Sequence, residues 1–206
     1  DIVLTNPPFG GREEDGIESN FPKHFQTRET ADLFLALIIR LLKPGGCAAM
    51  VLPDGTLFGE GVKTRLKEHL LEECNLHTIV RLPNSVFKPY ASIGTNLLFF
   101  EKGEPTNEIW FYEHRVPEGQ KAYSMTKPIK VEHLKSCVDW WGGAKRKGRV
   151  ENEVAWHVTA EEVKKLAEDT YGNVARVTEM GPRTRPQEPV HEAARTVTLG
   201  DPRVTQ

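Results

Sequence analysis

Two adjacent prolines, Pro7 and Pro8, constrain the fold of this chain more than any other feature of its sequence. Neither can donate a hydrogen bond to a β-ladder, and each holds the residue before it in extended geometry. The apolar run Ile2-Val3-Leu4 just ahead of them has the pattern of a buried strand. That strand must stop at Asn6, in a stiff turn at its carboxyl end. In open α/β sheets this is where ligands bind. The turn offers the Asn6 amide, carbonyls without a local N–H partner, and the Phe9 ring.

Those groups suit one task. The Asn6 amide oxygen and the Pro7 carbonyl can both accept hydrogen bonds from an exocyclic amino group, and Phe9 can stack on the ring that carries it. An adenine flipped out of a duplex would be held in this way. The plainer reading is a Pro-Pro turn that ends a strand, with Asn6 as a turn residue.

The 206 residues suffice for one sizeable domain, or a domain plus an extension. A hydrophobic content of 38% against 27% charged residues permits a globular core. The net charge of -2 makes no overall case for a nucleic-acid partner, so a local basic patch would have to supply one. Cys47, Cys74 and Cys137 are widely spaced, which predicts neither a disulfide framework nor a zinc ribbon and fits a reducing cytoplasm. The histidines form no His-x-x-x-His pair, so no metal site is expected. There is no secretory signal, and no apolar run reaches the ~18 residues of a membrane span. Asp1 stands inside a strand-like run, so the chain is expected to be a fragment lacking its natural amino-terminal part.

Residues 10–29 hold Gly10, Gly11 and Gly16 without helical or strand period, and predict a loop. Such a loop can close over substrate or simply be polar and mobile. The spacing of Leu33, Phe34, Leu37, Ile38, Leu41 and Leu42 predicts a helix over 30–43, with Thr30 as N-cap and Lys43-Pro44-Gly45-Gly46 as its stop. A buried strand follows over 47–52, then a turn at Pro53-Asp54-Gly55. A helix over 62–74, strands over 77–82 and 95–100, and a short strand over 109–112 complete an alternating order. That order implies a mostly parallel sheet covered on both faces, with the strand at 95–100 antiparallel. Gly59 to Thr64 sits like a phosphate loop but lacks its glycine spacing, and is read as a helix start.

Farther on, a helix is expected over 131–141, with Leu134, Cys137, Val138 and Trp141 on one face. Trp140, Trp141 and the basic run Lys145 to Arg149 could meet DNA backbone or a partner, or form a tryptophan anchor beside a solvated loop. Thr159-Ala160-Glu161-Glu162 is a capping box opening a short helix through Val163, Leu166 and Ala167. The proline-rich stretch 176–206 is read as a disordered tail.

Several of these segments, in order, resemble the adenine-N6 DNA methyltransferases, and most of all the modification subunits of type I restriction-modification systems. They are Asn6-Pro7-Pro8-Phe9, Ala31-Asp32-Leu33-Phe34, Leu42 to Gly46, Val51 to Phe58, Leu82 to Phe87 and Ile93 to Phe100. The resemblance implies an α/β fold, the carboxyl-terminal part of a Rossmann-like sheet dependent on S-adenosylmethionine, with an antiparallel strand near one edge and a small, mostly helical extension. Together with the reading along the residues, it divides the chain into the catalytic half of the methyltransferase domain over 1–115, an extension with short helices over 116–175 and the tail over 176–206. Asn6, Pro7, Pro8 and Phe9 would be catalytic, and Phe87 and Tyr90 would line the base pocket. The cofactor-binding residues are unknown, since the family's glycine-rich donor turn would lie upstream of Asp1.

The implied partners are double-stranded DNA and the specificity and restriction subunits of a type I complex, with no membrane and a cytoplasmic location. Asn-Pro-Pro-aromatic turns also serve methyltransferases acting on protein glutamine or on RNA. A further alternative is a non-catalytic piece that docks DNA or a specificity subunit.

Overall fold

The computed structural model describes residues 1–163, the Phe58 side chain apart. The expected helix beyond Val163 and the tail over 176–206 lie outside the described residues.

Strand β1 (Ile2–Thr5) ends one residue before Asn6, as the prolines require. The chain then makes an excursion with two short 3₁₀ turns, Ile17–Asn20 and Lys23–Phe25. The base of this loop is closed by an isolated bridge between Arg12 and Glu29 and by the Glu13 N–H donating to Arg28 O at 2.9 Å. Helix α1 (Thr30–Leu41) follows, burying Leu33, Leu35, Ile38 and Ile39. Thr30 is its first residue and not its cap: the cap position belongs to Glu29, without a side-chain bond. Thr30 is buried, and its N–H donates to Gly11 O at 3.0 Å, so the helix start is tied to the loop.

Strand β2 (Cys47–Pro53) leads directly into a short helix, α2 (Asp54–Phe58), where the sequence predicts a turn. Helix α3 (Val62–Glu73), strand β3 (Cys74–Leu82), strand β4 (Thr95–Lys102) and strand β5 (Glu108–Glu113) come next. The expected helix over 131–141 is a 3₁₀ turn, Val131–Leu134, running into α4 (Lys135–Trp140). Val138 is exposed there and Cys137 is buried, so the expected four-residue face is only partly used. Strand β6 (Ala155–Thr159) has no counterpart among the expected elements. Thr159, its last residue, opens the predicted capping box: its Oγ1 accepts the Glu162 N–H at 3.2 Å and its N–H donates to Glu162 Oε2 at 2.8 Å.

The six strands form one sheet in the order β1-β2-β4-β3-β5-β6. β1 pairs parallel with β2, and β3 with β5, while β4 runs antiparallel to both β2 and β3, and β6 antiparallel to β5. The sheet is therefore mixed, not mostly parallel. β4 is antiparallel as expected, but it lies between β2 and β3 and not near an edge, because β5 and β6 continue the sheet beyond β3.

One face packs against the helices. Leu35 and Ile39 of α1 and Leu66 and Leu70 of α3 join Met50, Leu52, Leu98 and Phe100 in a common core. Each such side chain contributes about 1.5–3 kcal/mol by leaving water. The other face carries a smaller cluster of Val80, Leu82, Tyr112, Cys137 and Ala155, with Phe87, Trp140 and Trp141 packed on it. Among the described residues no crossover helix covers this second face. A loop and the segment around α4 do so instead. At β1 the same face is open: Ile2 is 74% and Leu4 77% exposed, so the run expected to be buried is half-open. β1 is the end strand of the described sheet, and no described element covers that side of it.

Candidate active site

Strand direction brings the carboxyl ends of β1, β2 and β3 to one rim of the sheet, with the amino end of β4 between the last two. Asn6 follows β1 on this rim, Asp54 follows β2, and Thr95 opens β4 opposite both Pro53 and Leu82. The loop over 83–94 leaves β3 and returns to β4 at the same rim. The position predicted for ligand binding is thus occupied by the predicted turn.

Within the turn, Pro7 is buried and Asn6 and Pro8 are exposed. The buried ring anchors the turn, and Asn6 projects from it. Among the described residues the Asn6 side-chain amide takes no hydrogen-bond partner. An acceptor reserved for a ligand needs to be unpaired in this way.

Phe9 is half-buried and meets Phe87 edge to face, with ring centroids 5.0 Å apart and planes at 85°. This is a favoured aromatic geometry, worth about 0.5–1.5 kcal/mol beyond the area buried. Phe87 also packs on the second-face cluster, so it serves both as a core residue and as a wall of the turn. Tyr90, three positions along the same loop, is 90% exposed and takes no part in the ring pair. Of the two loop aromatics singled out in the sequence, the fold brings one to Phe9.

The loop over 83–94 is internally bonded: Val86 N–H donates to Pro83 O at 3.0 Å, and Ala91 N–H to Phe87 O at 3.0 Å. Ser85, buried, accepts the Tyr123 N–H on its Oγ at 3.0 Å. Tyr123 is itself buried, with its hydroxyl 2.8 Å from His114 Nε2. Burial holds the His114 imidazole below its ordinary pKa.

A polar cluster at the rim was not foreseen. Asp54 Oδ1 accepts from Asn96 Nδ2 at 2.8 Å, and Asp54 Oδ2 accepts from Arg81 Nη2 at 3.2 Å. The Asp54 N–H donates to Gly94 O at 2.9 Å. Pro53-Asp54-Gly55 carries an ordinary turn composition, so only the Asp-Arg-Asn chemistry near three strand ends could have signalled it.

Behind the rim, α1, α2 and α3 share a buried charge network. Asp32 is fully buried, with Lys63 Nζ 2.9 Å from its Oδ2. Burial pushes the Asp32 carboxyl up from its ordinary value, against the pull of Lys63 and Thr56. Lys67 Nζ donates to Leu57 O at 2.6 Å and to Gly59 O at 3.0 Å, closing the end of α2. Burial and then the neighbouring Lys63 charge push the Lys67 amine down to about 8.

The basic run is only partly a surface feature. Arg146 makes two bonds to Glu101, at 2.7 and 3.2 Å. Arg149 lies 4.7 Å from the ring centroids of both Trp140 and Trp141, and its Nη1 donates to Thr78 Oγ1 at 2.9 Å. Two of the cations therefore fasten the α4 segment to the sheet, while Lys145 and Lys147 stay exposed. The tryptophan-anchor reading holds for Trp140 and Trp141. Among the described residues no group of three His, Cys, Asp or Glu side chains could hold a metal ion. Likewise no described helix is long and apolar enough to cross a membrane.

Comparison with known proteins bears on the fold and the family. The model of the N-6 DNA Methylase family matches residues 1–180. The type I restriction enzyme EcoEI methylase subunit of Escherichia coli is 62% identical over 165 residues, covering 79% of this chain and 34% of that protein. A solved structure on complex assembly and conformational transition of the type I restriction-modification system matches with a TM-score of 0.76 at 43% identity, covering 94% of this chain and 41% of that one. The crystal structure of the EcoKI M protein matches with a TM-score of 0.70 at 29% identity, covering 82% and 41%. The chain spans about a third of the length of the curated relatives it matches.

Proposed function

Because the chain belongs to the N-6 DNA methylase family, we propose that it forms the base-binding side of a site that methylates adenine N6 in DNA, as part of a type I restriction-modification methylase. The observation that carries this reading is an unpaired, exposed Asn6 beside an aromatic pair, at the carboxyl end of a strand.

In this reading an adenine leaves the duplex and stacks on the aromatic wall of Phe9, with Phe87 fixing that wall from behind. Asn6 Oδ1 and the Pro7 carbonyl accept the two amino hydrogens of adenine N6. Those bonds draw the nitrogen lone pair out of conjugation with the ring and aim it at the incoming methyl carbon. As the N–C bond forms, positive charge grows on nitrogen, and the two oxygens stabilise it. One amino proton then leaves to solvent. No covalent enzyme intermediate is required, so positioning carries the rate.

S-adenosylmethionine would supply the methyl group as a sulfonium, its S–CH3 bond breaking as the N–C bond forms and the sulfur keeping the electron pair as a neutral thioether. The described residues contribute the acceptor side of such a site. Among them no glycine-rich turn followed by an acid stands at a strand end to hold the donor's methionine and ribose, so no step is assigned to residues that bind it. Double-stranded DNA, a specificity subunit and a restriction subunit are the partners this reading assigns, in a reducing cytoplasm.

The test is transfer of labelled methyl from S-adenosylmethionine by the full-length protein that carries this chain, with its specificity subunit and DNA. Label recovered as N6-methyladenine supports the reading. Label on cytosine, on RNA or on protein glutamine overturns it.

A further inference from the structure

Phe87 stands on a loop, and a loop holds an aromatic wall in place only if both of its ends are fixed. The loop over 83–94 leaves the sheet after Arg81 and Leu82 and re-enters it through Gly94, Thr95 and Asn96. One residue outside the loop touches both ends. Asp54 accepts from Arg81 Nη2 at 3.2 Å on the leaving side and from Asn96 Nδ2 at 2.8 Å on the returning side. Its N–H also donates to Gly94 O at 2.9 Å, within the last residue of the loop. The approach is close enough that a Cβ on Gly94 would displace the Asp54 carboxylate from its place. Asn96 is fully buried, and exchanging its bond to Asp54 for one to water is not open to it without movement of the strand end. Asp54 is itself fixed as the first residue of α2, whose far end is closed by Lys67.

We propose that Asp54 is a positioning residue, clamping both ends of the 83–94 loop so that Phe87 is held edge-on to Phe9. The inference rests on the base-binding reading for its consequence in methyl transfer, but not for the clamp itself. Asp54 touches no reacting atom in this account. It acts through Phe87.

The experiment joins hydrogen exchange with a double-mutant cycle in the full-length protein that carries this chain. In Asp54→Ala, amide exchange over 83–94 and at the β4 end around Asn96 rises by about 10-fold or more, while β2 and the rest of β4 exchange as before. Asp54→Asn, which keeps an oxygen for Asn96, recovers part of that protection. Methyl transfer by Asp54→Ala falls about 10-fold in kcat/KM for DNA, with S-adenosylmethionine affinity unchanged. In a Phe87→Leu background the same change costs less than about 2-fold more, because the two residues act through one contact. Unchanged exchange in the loop overturns the proposal, as does exchange that rises equally across the whole sheet, or a loss additive with Phe87→Leu. If the loop loosens while neither Asp54→Ala nor Phe87→Leu alters transfer, the clamp stands and the base-binding reading fails.

Discussion

Phe9 and Phe87 come from distant parts of the chain and meet edge to face, with ring centroids 5.0 Å apart. The contact joins the turn after β1 to the loop after β3, and so ties the Asn-Pro-Pro-Phe motif to the rest of the rim. If a flipped base stacks on this wall, removing one ring weakens base capture without dismantling the fold. Phe87→Leu keeps apolar volume in the second-face cluster and removes only the ring. It should lower kcat/KM for DNA by about 10-fold, as expected for losing the edge-to-face contact that fixes the stacking Phe9 ring. A steady-state methylation assay across DNA concentrations checks this. An unchanged kcat/KM would remove Phe87 from the site.

Tyr90 allows the complementary test. Its ring is 90% exposed, so truncation should leave stability within about 0.5 kcal/mol of the parent. If it reaches the DNA, Tyr90→Ala raises KM for DNA with little change in kcat. Thermal unfolding and methylation kinetics on the same preparation separate the two effects.

Arg149 should behave as a structural residue despite its place in a basic run. Its guanidinium is 4.7 Å from two tryptophan ring centroids and bonds Thr78 and the Trp141 carbonyl. Arg149→Ala should destabilise the protein by about 2 kcal/mol. Lys147→Ala, exposed in the same run, should change stability by less than about 0.5 kcal/mol. Urea unfolding distinguishes them. If the run contacts phosphate, the exposed lysines and not Arg149 carry the salt dependence of DNA binding.

Lys67 makes a prediction about pH. Its folded value is about 8 against 10.5 for a free lysine, first through burial and then through the Lys63 charge, opposed by Asp32, Glu60 and Glu68. The folded value is the lower one, so between those pH values the unfolded chain binds more protons. Stability contributed by this group therefore rises with pH across that window. Unfolding free energies of the parent and of Lys67→Met, compared from pH 7 upward, should show a difference that is flat below about 8 and then shifts in favour of the parent. A shift in favour of the variant would contradict the assignment.

Much of this architecture was legible in the residues. The apolar spacing of α1, the stop at Gly45 and Gly46, and the Pro7-Pro8 end of β1 each follow from local chemistry, and the structure has them. What escaped depends on contacts between distant segments. Asp54 reads as a turn residue until Arg81 and Asn96 stand beside it. Arg149 reads as a solvated cation until two tryptophans flank it. Ala155–Thr159 becomes a strand because β5 offers it an edge, a partner invisible in its own short run. Ile2 and Leu4 are exposed where the apolar run predicts a buried strand: such a run does not say which elements cover its two faces. At the site, the turn residues were singled out from their chemistry, and the expectation that Phe87 lines the site came from family resemblance. The edge-to-face contact with Phe9 came from neither.

In the proposed site Asn6 holds the amino group that is methylated. The most direct measurement is methyl transfer to DNA by Asn6→Ala in the full-length protein, with S-adenosylmethionine binding and thermal unfolding measured alongside. Asn6 is exposed and unpaired among the described residues, so the substitution should leave the fold and cofactor binding intact. Transfer should fall by about 100-fold or more, as for the loss of one group that stabilises charge in the transition state. Transfer that survives at the parental rate would take Asn6 out of the reaction.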